Sequence, residues 1–221
     1  MIFPELKMKR FAKINLDAEA RGWLAEHTSE QKNPLLNPLV CEKFVEQCHQ
    51  RLGIDFSFGG WMENRSTLWR GSYLDDDERY VHLGIDFNVP AGTAVAVSRP
   101  TIVLRIDTDH PEPHGWGNRV IVDDALTDCV LVFAHLAHPG NLRVGDTLND
   151  GEILGRVGSS SVNGGWFPHL HVQCIKREYY QFLLENNLCD LDGYGKSDDI
   201  EFLRANFPDP ILYTGIVEHN H

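Results

Sequence analysis

The sequence lacks several features that mark large classes of proteins. It has no excess of positive charge, because 20 Lys and Arg residues stand against 32 Asp and Glu residues, giving a net charge of −12. Neutralising phosphates requires surplus Lys and Arg, so this balance argues against binding to nucleic acid or to an anionic membrane surface. No apolar run approaches the roughly 20 residues that a membrane-spanning helix needs. We therefore expect neither nucleic acid nor a membrane among the partners of this protein.

Cysteine is also scarce, and no export signal opens the chain. The five cysteines are odd in number and widely spaced, which argues against a disulfide framework and fits a reducing compartment; they are Cys41, Cys48, Cys129, Cys174 and Cys189. Pro4 and nearby charges interrupt the opening residues, so these cannot form the apolar core of a signal peptide. On the chain as given we expect a cytoplasmic location. If a signal had been trimmed, the location would be periplasmic or secreted.

The composition is that of an ordinary globular protein with helical character at its start. The 221 residues are 42% hydrophobic and 24% charged, and a chain of this length can bury one large core or two modest ones. Residues 1–55 form the predicted N-terminal helical segment. Within it, Asn37 suits an N-cap, Pro38 suits the first helical position, and Gly53 suits the residue after the helix.

The middle of the chain has the pattern of β-structure, and the end is helical again. Residues 56–175 contain short β-branched runs separated by Gly, Asn, Asp and Pro, which predicts a mainly antiparallel β domain. Residues 176–221 form the predicted C-terminal helical extension, in which Asp198 and Glu201 have the spacing of a capping box. The predicted fold is thus mainly β, of the α+β class, with an antiparallel β-sheet core and helical flanks packed on it.

A strand over residues 81–89 carries the first candidate site residues. Its odd positions are apolar and its even positions are polar, so His82 and Asp86 share one face. On a flat strand these two residues would lie roughly 13 Å apart, too far to bind one ion. Gly84 between them can kink the strand and close the gap. The plainer alternative is a surface strand with ordinary polar residues.

Three further histidines end or follow apolar strands. His169 and His171 alternate with apolar residues, which places them on one strand face, about 7 Å apart at the backbone. His135 ends the apolar run 130–134, where a buried imidazole needs a partner or a function. An exposed histidine pair is the plainer alternative. Three imidazole or carboxylate ligands with one open position are typical of catalytic zinc, although nickel, manganese and iron also accept them.

The motifs around these residues resemble those of the lysostaphin-like metallopeptidases (M23, LytM-type). The similar segments are His82-Leu83-Gly84-Ile85-Asp86, Ala134-His135-Leu136 and His169-Leu170-His171, within a resemblance covering roughly residues 81–173. The resemblance implies a LytM-type fold and one zinc ion per chain, bound by His82, Asp86 and His171. It implies that His135 and His169 move protons or stabilise the oxyanion beside the activated water.

The same resemblance implies candidates for substrate contacts and leaves the substrate open. The family often places a tyrosine near the metal, so Tyr73 and Tyr80 are candidates for substrate or oxyanion contacts. At least one of four tryptophans is expected to line the cleft; they are Trp61, Trp69, Trp116 and Trp166. The stretch 163–171 is similar to a cytoplasmic branch in which such a domain is fused to an aminotransferase.

Three functions are compatible with these motifs. The first is a zinc-dependent hydrolase of peptides, including those of the peptidoglycan type. The second is a cytosolic hydrolase of a small amide-type metabolite. The third is a non-catalytic module that binds peptide or sugar.

Overall fold

The computed structural model describes residues 1–27, 32–108, 115–124, 126–138, 140–188 and 191–216. Its helices are α1 (Leu16–His27), α2 (Pro38–Leu52), α3 (Arg177–Glu185) and α4 (Ile200–Asn206). Its strands are β1 (Phe11–Lys13), β2 (Phe56–Gly59), β3 (Val81–His82), β4 (Ile85–Asn88), β5 (Ala94–Ala96), β6 (Thr101–Thr108), β7 (Asn118–Asp124), β8 (Cys129–Leu136), β9 (Thr147–Leu148), β10 (Ile153–Arg156), β11 (Leu170–Lys176) and β12 (Tyr194–Gly195).

The strands form one large sheet and two small ones. The large sheet has eight strands in the order β1-β2-β4-β11-β8-β7-β6-β9, and β5 pairs with β10 and β3 with β12 in two-stranded sheets. Every neighbouring pair is antiparallel except β1 and β2, which run parallel. This confirms the predicted mainly antiparallel α+β fold.

The central strands of the large sheet have a different hydrophobic cluster on each face. Along β8, Leu131 and Phe133 pack into a cluster that also contains Phe87 and Val172. The alternate residues of β8, such as Val132, pack on the other face against α3 and α4. Because side chains alternate along a strand, the neighbours of Phe87 and Val172 in sequence, Asp86 and His171, point to this second face. The candidate site therefore lies there.

Helix α2 begins and ends as its sequence predicts. The Asn37 side-chain oxygen accepts hydrogen bonds from the backbone N–H groups of Leu39 and Val40 at 3.0 and 3.4 Å. Pro38 occupies the first turn, and Gly53 ends the helix in the left-handed conformation with φ of 66°. The buried face of α2 packs in a cluster with Leu74 and Phe167, which brings the N-terminal segment over the second face of the sheet.

Both flanks contain short strands as well as helices, and the sequence analysis did not predict these strands within the helical segments 1–55 and 176–221. Strand β1 extends the edge of the large sheet, and β12 pairs with β3 beside the candidate site. The predicted capping box of Asp198 and Glu201 is wrong. The chain forms a 3-10 turn first, so the N-cap of α4 is Asp199, whose side chain makes no capping hydrogen bond.

Two predicted absences can be compared with the described part of the chain. No helix in it is long and apolar enough to cross a membrane. The four cysteines that it contains, Cys41, Cys48, Cys129 and Cys174, are free and buried, and Cys189 lies outside the described residues.

Candidate metal centre

A break in the strand over residues 81–89 brings His82 and Asp86 together. Strand β3 ends at His82 and β4 begins at Ile85, and the His82 Nε2 atom lies 3.3 Å from Asp86 Oδ1. Residues before and after the break belong to different hydrophobic clusters, as Leu83 and Ile85 illustrate. The predicted kink at Gly84 is thus present. A Cβ atom at Gly84 would lie 2.6 Å from the His171 ring, so the site requires glycine there.

Strand register supplies the third donor of the cluster. His171 on β11 pairs directly with Asp86 on β4, and cross-strand partners have neighbouring side chains. The His171 Nδ1 atom lies 3.0 Å from Asp86 Oδ1 and 3.0 Å from His82 Nε2. All three residues are buried, and their donor atoms lie within 4.8 Å of one another. Ligands of one tetrahedral zinc ion lie about 3.3 Å apart, so the spacing fits this metal.

Hydrogen bonds on the far side of each ring direct a lone pair into the cluster. His82 Nδ1 donates to the Gly60 carbonyl at 3.1 Å, which leaves His82 Nε2 unprotonated. His171 Nε2 donates to Gln173 Oε1 at 3.1 Å, which leaves His171 Nδ1 unprotonated. Burial lowers the pKa of His82 to about 3, so its ring is neutral. Two lone pairs and a carboxylate oxygen that face one another need a cation between them, and the donor set therefore fits zinc.

The second oxygen of Asp86 is held by a buried arginine. Asp86 Oδ2 forms an ion pair with Arg65 Nη1, and Arg65 Nε lies 3.3 Å from Glu63 Oε1. Arg65 is only 3% exposed. Burial alone would raise the pKa of Asp86, but the Arg65 guanidinium holds that pKa well below its ordinary value. Asp86 is thus ionised, with Oδ1 directed at the two histidines.

His135 and His169 lie beside the donor cluster. Their Nδ1 atoms donate to the carbonyls of Asn163 and Phe167 at 2.8 and 2.7 Å, so each Nε2 carries a lone pair. The two ring centres are 4.4 Å apart, and burial lowers the pKa of both rings. His135 has φ of 63°, which is uncommon for a residue other than glycine. Hydrogen bonds from His135 N–H to the Trp116 carbonyl and from Gly158 N–H to the His135 carbonyl hold this conformation.

The other predicted aromatic residues divide into those at the site and those away from it. Tyr73 lines the site cavity, whereas the Tyr80 hydroxyl donates to Asp75 and Tyr80 is not one of the lining residues. Three of the four candidate tryptophans line the cavity, namely Trp69, Trp116 and Trp166. Trp61 instead donates its indole N–H to the Phe207 carbonyl at 3.0 Å.

The donor cluster opens into a cavity of about 270 Å³. The five predicted site residues on β-strands or their ends all line it, namely His82, Asp86, His135, His169 and His171. The sequence analysis missed Arg65 and the wall formed by residues 191–194. No local signal marks either, because an arginine in a loop is usually a surface residue and the short strand β12 has no periodicity.

A buried His-Asp-His donor set beside two neutral histidines, on the face of an antiparallel sheet, is the arrangement of a metal-dependent hydrolase. Residues 80–182, just under half of the chain, match the model of peptidase family M23. Peptidases of this family are zinc-dependent. The matched region contains all five predicted site residues that line the cavity, namely His82, Asp86, His135, His169 and His171.

Several solved structures are similar to part of the chain. A zinc-containing peptidase from Vibrio cholerae has 22% identity over 44% of this chain and 28% of its own, with a TM-score of 0.38. The catalytic domain of lysostaphin from Staphylococcus simulans has 22% identity over 57% of this chain and 80% of its own, with a TM-score of 0.39. Csd3 from Helicobacter pylori has 30% identity over 44% of this chain and 24% of its own, with a TM-score of 0.36.

These similarities are partial. The chain spans only 28% and 24% of the Vibrio cholerae and Helicobacter pylori proteins. No curated protein sequence matches the chain. The TM-scores are low, so the similarity to family M23 rests on the sequence match over residues 80–182.

Proposed function

We propose that this protein is a zinc-dependent hydrolase of amide or peptide bonds, with one zinc ion per chain. The observation that carries the proposal is the convergence of three donor atoms, His82 Nε2, Asp86 Oδ1 and His171 Nδ1, in a buried cluster that opens into a cavity. Two neutral nitrogens and one carboxylate oxygen form a donor set that zinc accepts, and three protein ligands leave a position for substrate or water.

The metal and the ligand residues have separate tasks. When bound, zinc lowers the pKa of a water molecule to about 7 and polarises an amide carbonyl. His82 and His171 present fixed lone pairs, because their other ring nitrogens donate to the Gly60 carbonyl and to Gln173. Asp86 contributes the negative charge, and Arg65 orients its carboxylate. The zinc ligands are therefore in their binding form before the metal arrives.

His135 and His169 are suited to moving the proton of the attacking water. Each has its Nδ1 proton on a backbone carbonyl, so each Nε2 can accept a proton. The ring that accepts it becomes a cation that the same carbonyl stabilises. This cation can then donate a hydrogen bond to the oxyanion and pass the proton to the leaving nitrogen.

Metal content tests the first part of the proposal. Protein purified without chelator is analysed for zinc as wild type, as His171→Ala and as His138→Ala. We expect about one equivalent of zinc in the wild type and its loss in His171→Ala. His138 is exposed on a loop and serves as the matched control, so its variant keeps zinc. A wild type that contains no zinc and takes none up on addition would contradict the proposal.

The division of roles is tested by comparing Asp86→Ala with His135→Ala. Asp86→Ala is expected to lose zinc. His135→Ala is expected to keep zinc and to lose roughly 10² to 10⁴ in turnover, the usual contribution of acid–base catalysis. Turnover is measured with a panel that contains both peptidoglycan-type peptides and small amides. Equal zinc loss in both variants would overturn the assignment of His135, and zinc binding without hydrolysis of any panel member would favour a binding module.

A further inference from the structure

Residues 65–74 and 191–194 line part of the site cavity and lie outside the residues that match family M23. We infer that its substrate is a small amide of no more than about two amino-acid residues, carrying an apolar or aromatic group. This inference rests on the proposed function, and it names the substrate class of that same site. It follows from how residues 65–74 and residues 191–194 line the cavity beside the donor cluster.

The first wall, residues 65–74, is fastened to the N-terminal segment. Asp17 on α1 is buried, and its Oδ1 atom accepts hydrogen bonds from the backbone N–H groups of Thr67 and Leu68 at 2.7 and 2.8 Å. The Asn33 side-chain amide donates to the carbonyls of Thr67, Leu68 and Arg70 at 3.2, 2.9 and 3.2 Å. These bonds hold the cavity-lining residues of the wall in place, so the wall is part of the folded core.

The second wall, residues 191–194, is fastened to the M23 domain itself. The indole of Trp116 donates to the Leu191 carbonyl at 2.8 Å, and the Gln173 amide donates to the Asp192 carbonyl at 3.1 Å. The backbone N–H of Leu83 donates to the Gly193 carbonyl at 2.9 Å. Gln173 also accepts the hydrogen bond that orients His171, so this wall and the donor cluster share a residue.

The two walls meet through a clasp formed by Tyr73, Arg79, Asp192 and Tyr194. The hydroxyls of Tyr73 and Tyr194 share a hydrogen bond of 2.7 Å. Arg79 Nη1 lies 3.3 Å from Asp192 Oδ2, and the Arg79 guanidinium lies 5.2 Å from the centre of the Tyr194 ring. The clasp thus joins the N-terminal and C-terminal walls beside the cavity.

The volume of the cavity limits the size of a ligand that fits beside the donor cluster. The cavity of about 270 Å³ is slightly smaller than the roughly 300–1,000 Å³ typical of small-molecule sites. A polymeric strand needs a groove that continues on both sides of the cleaved bond, and the clasp that joins the two walls is expected to interrupt such a groove. The lining is rich in flat rings, which favour an apolar or aromatic group on the substrate; these are Trp69, Tyr73, Trp116, Trp166, Phe167 and Tyr194.

Hydroxamates of different size test this inference, because they share one zinc-binding group. Acetohydroxamate, benzohydroxamate and the hydroxamate of N-acetyl-tetraglycine are titrated into the zinc-loaded full chain by calorimetry. We expect benzohydroxamate to bind about tenfold more tightly than either of the other two. Equal affinity for acetohydroxamate would overturn the preference for an apolar group. Equal or tighter binding of the tetraglycine compound would overturn the size limit.

Variants of the clasp test the cause of the selectivity. Tyr73→Ala is expected to reduce the ratio of benzohydroxamate to tetraglycine affinity about fivefold, and Tyr73→Phe, which keeps the ring but loses the shared hydrogen bond, by a smaller factor. Tyr179→Ala is the matched control, since Tyr179 packs against Phe202 and Phe207 away from the cavity. A ratio unchanged in both Tyr73 variants would overturn the role of the clasp.

The zinc content of each sample is measured first, so that the two proposals fail separately. A wild type that retains no zinc overturns the proposed function together with this inference. A wild type that retains zinc but binds the long hydroxamate as well as the aromatic one overturns the inference alone.

Discussion

Arg65 is expected to stabilise the metal-free protein more than the zinc-loaded protein. Its guanidinium pairs with Asp86 Oδ2 and with Glu63 Oε1, and the three side chains are 3%, 4% and 6% exposed. Arg65→Met would leave two buried carboxylates without this cation, and removing one partner of a buried ion pair costs about 3–5 kcal/mol. We therefore expect the free energy of unfolding of the metal-free variant to fall by about 3–5 kcal/mol.

Zinc is expected to reduce the loss of stability caused by Arg65→Met. A zinc ion bound at Asp86 Oδ1 compensates the Asp86 charge, so Glu63 is then the carboxylate that loses its cation. The loss of stability should be smaller in the zinc-loaded variant. By linkage, zinc must then stabilise Arg65→Met more than it stabilises the wild type. This outcome is the opposite of that expected for Asp86→Ala, which removes a ligand.

Urea unfolding of chelator-treated and zinc-loaded samples measures the free energy of unfolding of each protein without and with zinc. Arg156→Met is the matched control, because Arg156 forms an exposed ion pair with Glu5 and such pairs contribute little to stability. Wild-type stability of metal-free Arg65→Met would refute the reasoning about buried charge. An equal loss with and without zinc would refute the proposed compensation at Asp86.

Three further predictions concern single residues, one at the donor cluster and two elsewhere in the fold. Gly84→Ala should weaken zinc binding in a chelator competition, because its Cβ would meet the His171 ring at 2.6 Å; Gly22→Ala, which meets nothing within 4 Å, should leave zinc binding unchanged. Asn37→Ala should lower the free energy of unfolding by about 1 kcal/mol, since it removes the N-cap of α2, and thermal denaturation measures this. Burial raises the pKa of the Cys41 thiol to about 12, so it should react with a disulfide reagent at pH 8 only after unfolding; rapid labelling of Cys41 in the native protein would contradict its burial.

The core of the fold was predictable from local patterns, whereas the donor set of His82, Asp86 and His171 was implied by the resemblance to the lysostaphin-like metallopeptidases. Alternation along residues 81–89 placed His82 and Asp86 on one face, and Gly84 supplied the reason for the kink between them. The flat-strand distance of roughly 13 Å becomes 3.3 Å between the His82 and Asp86 donor atoms once the strand breaks. The roles of His135 and His169 stay a prediction, since lone-pair direction is compatible with catalysis and does not measure it.

The remaining features depend on contacts between distant parts of the chain. Strand β1 has only three residues, and its pairing with β2 depends on the tertiary packing of the N-terminal segment. Arg65 is buried only because Glu63 and Asp86 surround it, and Asp86 lies 21 residues further along the chain. The hydrophobic periodicity of the sequence cannot predict such a contact, because a loop arginine has the same sequence neighbours whether it is buried or exposed.

The residues proposed to carry the chemistry and some of the residues that line the cavity lie in different parts of the chain. All donor and acid–base candidates lie within residues 80–182, whereas Trp69, Tyr73 and Tyr194 lie outside that range. A family match over the central region alone therefore predicts the type of reaction without predicting the size of the substrate. We expect residues 65–74 and 191–194 to contribute to shape selectivity, and their sequences carry no motif, because a wall needs bulk and anchoring hydrogen bonds, which place few constraints on residue order. The hydroxamate series measures the selectivity for ligand size directly, because its members share one zinc-binding group.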